Sequence, residues 1–76
     1  MKTISQAYLL GIQEGRALMR QFERDGIPIT LETARSAAAN VTECLSMGFA
    51  GEMRDCLRGE RDFWARQCLQ LTKKGI

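Results

Sequence analysis

Few residues in this chain are equipped for chemistry. It contains no histidine, so proton transfer near neutral pH would fall to carboxylates, cysteines or lysines. Its cysteines, Cys44, Cys56 and Cys68, follow one another at intervals of twelve residues. Zinc sites instead use short paired spacings and usually four ligands, so one chain could hold zinc only by adding a carboxylate or a second subunit. Read plainly, the three are small buried hydrophobes. Their odd number prevents complete pairing within the chain, and free thiols in a reducing cytoplasm are the expectation. Acidic residues are scattered along the chain with no glycine-rich loop or nucleophile elbow around them. The patterns predict a non-enzyme with no catalytic residue, cofactor, resident metal or small-molecule substrate. A thiol at Cys56 or a carboxylate pair is the only catalytic remainder.

The arginines are better organised. Arg16, Arg20 and Arg24 stand four residues apart. On a helix, at about 100° per residue, that row points largely away from the apolar side and reads as a solvated face. Arg54, Arg58 and Arg61 form a second row, which flanks the apolar stripe containing Leu57 and Trp64. Trp and Arg dominate interface hot spots, so these five residues form a candidate protein-binding edge. Contact with nucleic acid through phosphates and stacking is a second reading. A third is structural, with Trp64 as the largest core anchor and the arginine stems as its cover.

Three helices must position these residues. The first is expected over about 4–24, with Thr3 and Gln6 at capping-box spacing and Ser5 as a competing cap. Its apolar or small stripe is Ile4, Tyr8, Gly11, Gly15, Leu18 and Phe22. The two glycines, four apart, admit either a bulky side chain or a close backbone approach from a neighbour. Asp25-Gly26 ends the helix, and Ile27-Pro28-Ile29 connects it to the next.

Thr30 is a good N-cap for a second helix over about 31–47, whose stripe is Leu31, Ala34, Ala38, Val41 and Leu45. Gly48-Phe49-Ala50-Gly51 breaks the chain again before a third helix over about 50–73. Its stripe is Phe49, Met53, Leu57, Trp64, Cys68 and Leu71, with Phe63 alongside and Asp62 placed to pair with Arg66. Gly59 lies mid-helix, where it costs about 1 kcal/mol relative to alanine. No alternating β-branched run suggests a strand.

The expected fold is therefore all-α, a single small domain over residues 1–76 in which a helical hairpin is joined by a third helix. At 76 residues such a domain buries only about 60% of its unfolded surface, so self-association as a homodimer would complete a thin core. A net charge of +2 from 11 basic and 9 acidic residues does not point to strong nonspecific nucleic-acid binding. No apolar run is long enough to span a membrane, and the N-terminus lacks a signal-peptide core.

Met1-Lys2-Thr3-Ile4-Ser5-Gln6-Ala7-Tyr8, leading straight into a helix, and the stretch from Gly51-Glu52-Met53-Arg54-Asp55-Cys56-Leu57 to Arg58-Gly59-Glu60-Arg61-Asp62-Phe63-Trp64 carry a resemblance. In size and style the chain resembles the short accessory proteins encoded in the early regions of lambdoid phages and their prophages. The resemblance covers most of the chain and assigns no residue a role. It implies a non-enzymatic protein of the bacterial cytoplasm that binds and modulates a host or phage protein, or else a nucleic-acid-binding regulator of phage development.

Overall fold

Ser5 begins the described part of a computed structural model, which covers residues 5–74. Its side-chain oxygen accepts from the Tyr8 N–H at 3.0 Å and caps α1, Gln6–Arg24. Of the two caps expected from the sequence Ser5 is thus the one observed, and Thr3 and Ile4 lie outside the described residues. The end of α1 is a Schellman turn. The Ile27 N–H donates to the Phe22 carbonyl at 2.8 Å and the Gly26 N–H to that of Glu23 at 3.2 Å. Gly26 sits at φ 77°, where a side chain would be strained, so glycine is required there.

Thr30 caps α2, Leu31–Ser46, by accepting from the Thr33 N–H at 3.2 Å. The Thr33 hydroxyl in turn donates to the Pro28 carbonyl at 3.0 Å, tying the connector to the helix start. Thr30→Ala should therefore lower stability by about 1 kcal/mol, read as a shift of the urea midpoint without a change in slope. Gly48, at φ 89°, closes α2, and α3 runs over Gly51–Lys74. The chain is all-α, with three helices close to the expected limits and no strand among the described residues.

α3 is the central element. It packs along both α1 and α2, whereas no Cα of α1 comes within 8 Å of one in α2. The α1–α3 contact is made through glycine. An added Cβ at Gly11 would overlap the Cys56 carbonyl, one at Gly59 would overlap the Tyr8 carbonyl, and one at Gly15 would stand 2.7 Å from the Phe63 ring. The Gly11/Gly15 spacing is thus a notch for a neighbouring helix, and the mid-helix Gly59 completes it from the other side. On the second flank Ala34 is buried against α3 with Ala37 and Ala38 beside the core, small side chains again allowing close approach.

The core is small and lies towards the α1–α2 connector. Ala34, Phe63 and Trp64 are buried, with Ile12, Met19, Phe22 and Val41 packed around them. Trp64 is 1% exposed, meets Phe63 edge-on at 5.2 Å and 85°, and leans on Phe22 at 6.4 Å. Farther from the connector the apolar stripes continue without cover: Leu10 is 50% exposed, Phe49 39% and Met53 57%. Leu18, expected on the inner side of α1, is exposed as well, because the glycine notch turns Ile12 and Met19 inward instead.

Candidate functional site

Because the backbones of α1 and α2 stand apart, with no Cα pair within 8 Å, a cleft runs between them with α3 as its floor. Its wide part, about 670 Å³, lies away from the connector between Ala7 and Leu10 on one wall and Cys44 and Phe49 on the other. Met53 and Leu57 form the apolar floor there. Nearer the connector the cleft narrows to about 240 Å³ between Leu18 and Phe22 of α1 and Ala37 and Val41 of α2, above Trp64. Glu14 and Glu60 line both parts, so they mark the middle of one continuous groove.

These carboxylates meet because of the notch. Glu14 lies between Gly11 and Gly15 on α1, and Cys56 and Glu60 flank Gly59 on α3. Docking the two glycine faces brings one ligand atom from each of Glu14, Cys56 and Glu60 within 4.8 Å of one another. The Cys56 thiol donates towards a Glu14 oxygen at 3.7 Å. Burial, then a hydrogen bond to Glu14 and repulsion from its charge, push the Glu60 carboxyl up to about 7. Cys56 is raised as well, first by burial and then by the two glutamates. The thiol therefore stays protonated at neutral pH, the reverse of what a nucleophilic cysteine needs.

The sign of the Glu60 shift makes a prediction. A carboxyl raised in the folded state favours folding while protonated, so stability should fall as pH rises from about 4.5 to 7 and level off above. Glu60→Gln should flatten that dependence and raise stability at pH 8 by about 1 kcal/mol, a figure discounted for the solvent screening of a partly exposed group. Urea titrations of both proteins at pH 5 and pH 8 check it. Chemically, the thiol and two carboxylates are a possible three-ligand set for a divalent cation such as zinc. They are also the combination of thiol and carboxylate that the cysteine spacing left open.

The five residues expected to form one protein-binding edge do not share a surface. Trp64 is buried in the core, and Leu57 belongs to the floor of the acidic cleft. Arg54, Arg58 and Arg61 lie on the other side, around a depression of about 500 Å³ with Leu45, Gly48 and Phe49. That depression is at the C-terminal end of α2, whose last turn carries no basic residue of its own. Positive charge near a helix C-terminus is favourable, and the arginines of α3 are the basic residues that line this depression.

Asp62 does not take the expected place beside Arg66. One oxygen accepts from Arg61 at 3.3 Å and the other from the Tyr8 hydroxyl at 2.5 Å. That bond, linking α1 to α3, raises the Tyr8 phenol above its ordinary value. Cys44, Cys56 and Cys68 are all free and half-buried, and no helix among the described residues is long and apolar enough to cross a membrane. No protein-family model, curated protein or solved structure matches the chain.

Proposed function

We propose that this chain is a small non-enzymatic interaction protein that receives a protein partner in the cleft between α1 and α2. One observation carries the reading: the two outer helices stand apart over an apolar floor, leaving Leu10, Phe49 and Met53 exposed around a single groove. Of the eight large apolar residues exposed among the described ones, Leu10, Leu18, Phe49 and Met53 border the cleft, and exposed apolar surface in a concave site is what a docking surface offers. The resemblance to phage and prophage accessory proteins supports a partner in the bacterial cytoplasm, either a host or a phage protein.

Affinity capture from bacterial lysate tests this with three baits: the wild type, a Leu10→Glu/Met53→Glu cleft variant, and an Arg54→Glu/Arg58→Glu/Arg61→Glu variant. Leu10 and Met53 are at least half exposed, so the cleft variant keeps the fold. The wild type and the arginine variant should hold the same partner, and the cleft variant should lose it. Sedimentation over a concentration series covers self-association, which would make the partner a second copy. A strict monomer that captures nothing would overturn the proposal.

The second reading, a nucleic-acid-binding regulator, is favoured by Arg54 and Arg58, which are exposed and form no ion pair among the described residues. Binding to duplex DNA through them should weaken steeply with salt. Absence of binding at low salt would end it.

A further inference from the structure

We propose that the cleft takes one amphipathic α-helix of a partner protein, whose apolar face carries a lysine or arginine near its middle that meets the carboxylates of Glu14 and Glu60. The inference rests on the cleft being the interaction site and adds the chemistry of what fills it. The groove is bounded on both sides by helices, whose backbone groups are already bonded within each helix, so no sheet edge is available to an extended peptide. Among the recurrent modes of peptide recognition, a helix laid in a groove suits a long apolar cleft walled by helices. From Gln6 to Phe22, the residues of α1 that border the cleft, the wall runs about 24 Å, or between four and five helical turns.

Charge selects the helix. Glu14, Glu52 and Glu60 line the cleft and no arginine or lysine does, although the whole chain carries a net charge of +2. The other ionisable groups facing it are Cys44 from α2 and Cys56 from α3. Two facing carboxylates in a partly dry groove are compensated best by a cation with several N–H donors. A second copy docking cleft to cleft about a two-fold axis would instead bring four such carboxylates together. The shape sets the rest of the pattern. Large side chains such as Leu, Met or Phe suit the wide half, and Ala or Val, about a turn beyond the basic residue, suits the narrow half.

The test is a display library of amphipathic helices of about 18 residues, long enough to span the cleft. It is selected at pH 8 on the full chain and counter-selected on the Leu10→Glu/Met53→Glu variant. Enriched peptides should carry Lys or Arg at one central position of the apolar face. Their affinity should fall about tenfold or more on the Glu14→Gln/Glu60→Gln protein. It should also rise by up to about fivefold from pH 6 to pH 8 as Glu60 gives up its proton.

Enriched helices without a basic residue, indifferent to the glutamine variant, would overturn the charge assignment while leaving the cleft as an interaction site. Failure of every helix, with a partner still captured through the cleft, would overturn the helix. Failure of both would remove the functional proposal as well. A dimer that the cleft variant abolishes would assign the cleft to a second copy. Zinc binding that Cys56→Ser abolishes, and that blocks the peptides, would assign it to a metal.

Discussion

Gly11→Ala and Gly59→Ala are each expected to destabilise the protein by about 3 kcal/mol or more, against a total stability of about 4–11 kcal/mol for a chain of this length. Helix propensity alone argues the opposite, since alanine in a helix interior gains about 1 kcal/mol over glycine. The sign is decided by what each new methyl would meet. At Gly11 it is the Cys56 carbonyl, and at Gly59 it is the Tyr8 carbonyl, both backbone groups of the facing helix. A side chain can rotate aside, but a helix backbone moves only by shifting the whole helix. That movement would part α1 from α3, take Tyr8 away from Asp62 and loosen the packing of Phe63 beside Gly15. Gly15→Ala should cost less, about 1–2 kcal/mol, because its methyl meets the Phe63 ring rather than backbone. Urea denaturation followed by circular dichroism gives all three values. A Gly11→Ala protein more stable than the wild type would show that the helices are not in backbone contact.

The notch also explains what could and could not be read from the chain. Helix limits were legible because their signals are local: Thr30 as a cap, Asp25-Gly26 as a stop and Gly48 as a break all act within a few residues. Trp64 as core anchor was among the readings for the same reason, being the largest apolar residue on a clear stripe. The order of packing was not legible. A hairpin joined by a third helix was expected, without saying which helices form the hairpin. It is α2 and α3 that do, α1 packs on α3, and no Cα of α1 lies within 8 Å of one in α2. Nothing along one helix states which neighbour it will choose. The pairing of Glu14 with Glu60 depends on that choice across 46 residues of sequence. The signal that could have found it was Gly11, Gly15 and Gly59 taken together as one crossing, which places Glu14 beside Cys56 and Glu60. The five-residue edge is dispersed for a related reason. Leu57, Trp64 and the arginines are neighbours on a helical wheel, but α2 packs against α3 so as to leave the arginines on one side and Leu57 on the other.

Trp64→Ala is the second large effect, expected to cost about 3–5 kcal/mol and to lower the melting temperature by more than about 12 °C. Trp64 is the one large side chain among the described residues that is essentially fully buried, and it joins the three helices near the α1–α2 connector. Its ring touches Phe63 on its own helix and Phe22 on α1, while Ala37 and Val41 of α2 pack over the same cluster. Truncation would leave a void that no neighbour is free to fill, since Phe63 is held between Gly15 and the indole. Trp64→Phe keeps an aromatic ring in the site and should cost only about 1–2 kcal/mol, leaving a protein folded well enough to assay. The pair of variants separates two roles. An interface anchor would lose its partner on truncation while the melting temperature stayed put. A core anchor beneath the cleft should show the loss in stability first, and the folded Phe variant should still bind any helix that the wild type binds. Melting followed by circular dichroism, with peptide binding measured on the Phe variant, decides between them: an unchanged melting temperature for Trp64→Ala would return this residue to the surface and remove the floor from the cleft.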